Sequence, residues 1–206
     1  MNTPEPMLKP VKLTDLRPTQ ITVGLREVEA KRREWRERAQ GGGGEFLGQH
    51  MIPVVIGPKG RPYVVDHHHL ARALLDEGVK EALLQVLVDL KRLSKAAFWV
   101  YLDNRAWCHP YNDAGERVTF DDIPKSIAEM TDDPFRSLAG ELRRAGGYAK
   151  SAEPFAEFTW ADFLRRRIKR KDVEQHFADT LTEALALAKQ QDARYLPGWC
   201  GPDPIG

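Results

Sequence analysis

The sequence predicts an α+β fold: a small mixed sheet with helices, followed by an all-helical C-terminal part. Two short β-branched runs, 51–56 and 61–65, flank Gly57-Pro58-Lys59-Gly60, which carries both residue types of a hairpin turn. A near-continuous apolar run at 83–90 follows the helix stop at Gly78 and reads as a strand covered on both faces. From Ser94 onward the apolar spacing becomes helical. These observations divide the chain into an α/β domain at 1–92 and a helical region packed on it at 93–206.

Taken in order, residues 1–10 hold two prolines among the first six positions and no apolar periodicity, so a loose lead-in is expected. Val11, Leu13 and Leu16 suit a short edge strand or extended arm before Arg17-Pro18-Thr19-Gln20. Leu25, Val28 and Trp35 then share one face of an amphipathic helix reaching about Ala39, with Glu27, Lys31 and Glu34 on another. Glu27 and Lys31 are spaced as an i,i+4 ion pair, the ordinary reading of a solvated face. The run 41–44 is four glycines, which implies a mobile loop or a flexible connector.

After the hairpin, Asp66 is placed to cap a helix whose apolar positions are Leu70, Ala73 and Leu74. Phe98, Tyr101 and Leu102 mark the next helix, and 123–130, 134–145, 161–168 and 173–190 supply the rest. The tail from Leu196 is rich in proline and glycine and reads as extended or loose.

Composition excludes several classes. With 31 Lys+Arg against 30 Asp+Glu the net charge is +1, so no global field draws the chain to nucleic acid or membrane. Cys108 and Cys200 are too few for a disulfide framework. The start, MNTPEPMLKPVKL, lacks the apolar core of a signal peptide, and no run reaches bilayer length, so a soluble, cytoplasmic protein without membrane partners is expected. There is no GxxxxGK[ST] loop, no GxGxxG after a strand and no HExxH. Cys108 beside His109 resembles a nucleophile and base only in sequence, because adjacent side chains point apart.

The chemistry concentrates at Asp66-His67-His68-His69, where a strand passes into a helix. A helix N-terminus presents unpaired N–H groups and about half a positive charge, a ready site for phosphate. His67, His68 and His69 add ring nitrogens that donate, accept or bind metal. Arg72 lies one turn on from His68 and Lys31 is a further cation, so both are candidate phosphate or nucleotide contacts with Asp66, His68 and His69. Asp66 is also the candidate metal ligand, for Mg²⁺ carried by a nucleotide. Pro134 after Asp133 is a helix start, and Arg136 and Ser137 in its first turn form a second candidate anion site. Arg165, Arg166, Arg167, Lys169, Arg170 and Lys171 put six cations in seven residues, a candidate nucleic-acid contact or a solvated helix paired with neighbouring carboxylates.

The order of the Arg17-Pro18-Thr19-Gln20 arm, the helix with Glu27 and Lys31, the strand Ile52-Pro53-Val54-Val55-Ile56 and the corner DHHHLARAL resembles the N-terminal domain of the ParB/sulfiredoxin superfamily. It looks most like the ParB-like nuclease branch, in which a DHHH string replaces the GERRxRA box of the partition proteins. DDPFRSLAGELRRAGGYAK and PFAEFTWADFLRRRI are similar to that branch too, so the resemblance spans nearly the whole chain. It implies that Asp66 to His69 binds nucleotide phosphates or metal, and that Glu27 corresponds loosely to the acidic base of the free-serine kinases. The sulfiredoxin cysteine is replaced by histidine, and no helix-turn-helix signature follows.

The expected function is therefore a ParB-like enzyme binding a nucleotide or phosphorylated small molecule and catalysing phosphoryl transfer or hydrolysis, with Glu27, His67, His68 and His69 as catalytic candidates. The alternative is a non-catalytic DNA-binding protein that uses the basic stretch 165–171.

Overall fold

The computed structural model describes residues 6–202 and shows a mixed α/β chain whose described residues fall into two compact units. One comprises the chain up to Val23 together with Glu27–Thr131, and the other comprises Gly24–Arg26 together with the chain from Asp132.

The first unit is built on a five-stranded sheet. Its strands are β1 (Pro6–Lys12), β2 (Arg17–Pro18), β4 (Ile52–Ile56), β5 (Pro62–Val64) and β6 (Glu81–Asp89), in the order β1-β6-β4-β5-β2; β3 is the short Thr22–Val23. The lead-in expected over 1–10 is corrected from residue 6 onward, because β1 pairs antiparallel with β6 and gains its order from that partner; residues 1–5 lie outside the described residues. The hairpin forms as its turn chemistry requires, with Lys59 and Gly60 both at positive φ and β5 antiparallel to β4. A Cβ at Gly57 would stand 2.6 Å from the ring of Tyr63 and 2.8 Å from that of Phe98, so glycine is needed for close approach.

Strand β6 runs parallel to β4 and is covered on both faces. Val54, Val64 and Leu84 pack with Leu13, Ile52 and Leu74 in one core. Val55 packs with Phe98, Leu102 and Ile123 in another, where Leu87 and Val88 join it. A register shift between Val54 and Val55 moves their β6 partners from Val86 to Val88. That bulge lets Val86 and Val88, two residues apart, serve opposite cores.

Helix α1 (Leu25–Gln49) begins with the residues of the second unit and continues in the first. It does not stop near Ala39: the glycines 41–44 are helical, which corrects the mobile-loop expectation. The cause lies beyond them, where Phe46 is buried, packs edge-on to Trp35 at 5.5 Å and stacks on His50 at 4.1 Å. Helix α2 (His68–Asp76) and helix α3 (Lys95–Asn104) follow, the latter capped by Ser94 through the Ala97 N–H. The helix expected at 123–130 is absent: Pro124 interrupts it, leaving only short 3-10 turns at Phe120–Asp122 and Ile127–Glu129. Thr131 opens the short β7 (Thr131–Asp132), and its N–H donates to Ile21 O at 3.1 Å.

The second unit contains α4 (Pro134–Arg144), α5 (Ala156–Arg165), α6 (Arg170–Gln175) and α7 (Phe177–Ala188). As expected, Asp133 caps α4 by accepting the Phe135 N–H at 3.0 Å, with Pro134 in the first turn. Two spans are corrected. The helix expected at 161–168 starts earlier and ends at Arg165, and the one expected at 173–190 is broken at His176, whose φ of −132° leaves the helical region. Trp160, Phe163, Leu138 and Leu142 are fully buried at the centre of this unit. The tail is anchored rather than loose as far as residue 202: the Trp160 Nε1–H donates to Pro197 O at 2.8 Å, and Trp199 bridges to Tyr148. Residues 203–206 lie outside the described residues.

Candidate functional site

The corner after β5 is organised by backbone conformation. His67 adopts the left-handed region at φ 63° and ψ 28° and is itself the residue preceding α2, so the expected cap at Asp66 is corrected. The turn swings Asp66 off the helix axis, and its Oδ1 accepts the His67 N–H at 2.6 Å instead of a first-turn amide. No side chain of the residue preceding α2 caps the helix, and its N-terminus carries the positive end of the helix dipole. A left-handed histidine costs about 1–2 kcal/mol relative to the right-handed form, strain of a kind that collects at functional corners.

The three imidazoles take three different positions. His67 is exposed. His68 is buried, and its Nε2 accepts the Thr19 N–H at 3.3 Å and lies 3.4 Å from Thr19 Oγ1. A backbone N–H can only donate, so the ring is neutral and carries its proton on Nδ1. Burial, with a smaller contribution from the neighbouring His69, pushes its pKa down to about 3. Thr19 Oγ1 in turn donates to Val64 O at 2.8 Å, and the Thr19 carbonyl accepts the His109 N–H at 2.9 Å. His68 therefore pins the corner to the arm that runs parallel to β5. Thr19 was not legible as a partner from the sequence, since the pairing of β2 with β5 is long-range and leaves no periodic trace.

His69 turns toward α1. Its Nε2 stands 3.6 Å from Glu27 Oε2, with side-chain exposures of 13% and 17%. That geometry suits an acid–base pair: partly enclosed, in reach of solvent, with a carboxylate just beyond hydrogen-bond distance of the ring. Lys31 bonds Glu34 at 2.9 Å. Arg72 is held by Asp76 at 3.0 Å and by the Met130 carbonyl at 2.8 Å, so it braces α2 against the 127–130 turn. On the far side of α2, Arg36 and Arg32 hold the Glu77 carboxyl down at about 2 and tie α2 to α1.

Among the described residues no three His, Cys, Asp or Glu side chains converge to hold a metal ion. The donor set at the corner is thus not a protein cage for zinc or calcium, and Asp66 offers one exposed carboxylate. Cys108 is buried beside Asp103, and burial pushes its thiol up to about 12, a structural cysteine rather than a nucleophile.

The remaining candidates belong to the second unit. Arg136 is buried with its guanidinium 5.3 Å from the Phe158 ring centroid, and Ser137 Oγ accepts the Arg26 N–H at 3.3 Å. The basic stretch is not one helix: it covers the end of α5, a loop and the start of α6. Arg165 bonds Asp133 at 2.7 Å and also Asp162. Arg167 stacks 3.8 Å over Phe163, and Arg170 pairs with Glu174 at 2.8 Å. Arg166, Lys169 and Lys171 are exposed. No helix among the described residues is long and apolar enough to cross a membrane.

Comparison with known proteins adds two findings. The family model described as "Putative ParB-like nuclease" matches residues 9–166. The crystal structure of protein Atu1540 from Agrobacterium tumefaciens is similar at 53% identity and a TM-score of 0.90, covering 97% of this chain and 100% of that one. No curated protein matches.

Proposed function

This chain belongs to the ParB-like nuclease family, and from that membership we propose that it is a phosphoester-binding enzyme whose acid–base pair is His69 and Glu27. The observation that carries the reading is the 3.6 Å approach of these two side chains beside a helix start that the preceding residue's side chain leaves uncapped. A phosphate seated at the first turn of α2 would meet main-chain N–H groups and the helix dipole, with the exposed His67 ring in range to donate. His69, oriented by Glu27, would take a proton from the attacking water or hydroxyl as the new O–P bond forms. It would return that proton to the leaving oxygen as the old bond breaks, which balances the step. Any Mg²⁺ would arrive on the nucleotide phosphates, with Asp66 beside them. His68 has a positioning part, because its ring is occupied by Thr19.

The nucleic-acid reading draws less support. Three of its six cations are engaged with carboxylates or an aromatic ring inside their own unit, which leaves Arg166, Lys169 and Lys171 for phosphates.

A thermal-shift panel of ATP, ADP, CTP and GTP, with and without Mg²⁺, tests the reading. A ligand at one hundred times its Kd raises stability by about 2.7 kcal/mol through mass action. Hits are then assayed for phosphate release in wild type and Glu27→Gln. No shift with any nucleotide, or equal turnover in the two proteins, would overturn it.

A further inference from the structure

A cavity of about 210 Å³ lies away from the histidine corner. It opens between β2, β5, α3 and the 120–125 segment, all within the first unit, and none of its lining residues belongs to Asp66–His69. Three cations reach it, Arg17, Lys95 and Lys125, together with three aromatic rings, Tyr63, Trp99 and Phe120. Asp121 is the one carboxylate in the lining and is paired with Lys95. Three positive charges against one negative leave a local excess of two in a chain whose whole net charge is +1.

The aromatic wall is assembled before any ligand arrives. Tyr63 meets Trp99 edge-on at 5.6 Å and Phe98 at 4.6 Å, and Trp99 lies parallel to Phe120 at 5.7 Å and 8°. Arg17 is fixed beside this wall because it pairs in register with Tyr63. Rigid rings cost little entropy on binding, and a π face accepts any flat base. Cations at the rim select for a charged substituent on that flat group. The volume is below that of a drug-sized pocket, which matches a flat ring system with its sugar phosphate at the open rim.

We infer that this groove is a second binding site, taking a single nucleotidyl group with its base against the aromatic wall and its phosphate among Arg17, Lys95 and Lys125. The site stands apart from the proposed acid–base pair and does not depend on it.

Isothermal titration of the full chain with AMP, followed in parallel by tryptophan fluorescence, tests the assignment. AMP should bind at least fivefold tighter than adenosine, which lacks the phosphate. Lys125→Glu and Arg17→Glu/Lys125→Glu should weaken AMP at least fivefold while adenosine changes less than twofold. Lys125 is exposed, so the single variant leaves the fold intact. A 5′-phosphorylated oligothymidylate distinguishes a strand end from a free nucleotide, and loss of either ligand in Lys125→Glu supports the site. Unchanged AMP affinity in the double variant, or no AMP binding to the folded wild type, would overturn it. AMP binding abolished by Glu27→Gln and His69→Ala but not by Lys125→Glu would also overturn it, while supporting the corner as the nucleotide site.

Discussion

His69 Nε2 lies 3.6 Å from Glu27 Oε2, joining the first turn of α2 to the first turns of α1 through one imidazole. Both side chains are only partly exposed. If the pair moves a proton during turnover, Glu27→Gln should lower phosphoester hydrolysis by about 10²–10⁴-fold, the usual range for a positioned acid or base. His69→Ala should do the same, and the double variant should be no worse than either single one, since the two act as a unit. Nucleotide affinity read by thermal shift should change little. Loss of affinity and rate together would assign Glu27 to binding.

The buried ring of His68 gives a pH signature. Its folded pKa, about 3, lies below the unfolded value near 6.5. Above 6.5 both states hold it neutral and its contribution is complete. As pH falls, the unfolded chain takes the proton first, so stability is lost progressively between about 6.5 and 3. Urea midpoints should therefore drop from pH 7 to pH 5, before the carboxylate at Glu77, held near 2, begins to lose its contribution below about 4.5. His68→Gln should flatten the slope between pH 7 and 5 while lowering stability throughout. An unchanged slope would mean that the ring is solvated.

The left-handed conformation of His67 can be measured directly. His67→Ala and His67→Gly both remove the imidazole, but only glycine relieves the Cβ clash at φ 63°. His67→Gly should be the more stable of the two by about 0.5–1 kcal/mol, after allowing for the extra freedom that glycine gives the unfolded chain. Both should weaken phosphate binding alike if the ring is a donor there.

What the sequence made legible was local. Gly57-Pro58-Lys59-Gly60 and Asp133-Pro134 carry their conformations in their own covalent chemistry, and both formed where expected. The misreadings came where distant packing or a single dihedral decided. The glycines at 41–44 stay helical because Phe46 beyond them is buried against Trp35. The expected Asp66 cap gives way to a left-handed His67, and apolar spacing at 123–130 concealed the break at Pro124. The roles of the three histidines were not separable from sequence, because what distinguishes them is Thr19 and Glu27, each brought in by another element.

Helix α1 retains a removable cost. Gly48 is helical, exposed and has nothing within 4 Å of where a Cβ would stand. Gly48→Ala should stabilise the chain by about 0.5–1 kcal/mol through helix propensity alone. Chemical denaturation would show an increased midpoint with the same m-value. No gain would indicate that this turn of α1 is frayed in solution.

The basic stretch separates structural from free cations, and a pair of variants tests the division. Arg165 reaches the carboxylate of Asp133, which is buried and whose pKa burial raises in spite of the guanidinium. Removing that partner strands a carboxylate in a low-dielectric site, at a cost of about 3–5 kcal/mol unless the carboxyl takes up a proton. Arg165→Met should therefore destabilise the second unit strongly at pH 8 and less at pH 5, where protonation of Asp133 offsets the lost charge. Arg166→Met, at an exposed position, should stay within about 0.5 kcal/mol of wild type. The exposed cations Arg166, Lys169 and Lys171 are available to an external polyanion, so charge reversal at Arg166 should reduce any salt-dependent DNA binding without changing stability. Equal destabilisation by Arg165→Met and Arg166→Met would remove the distinction, and the stretch would then be a single solvated surface.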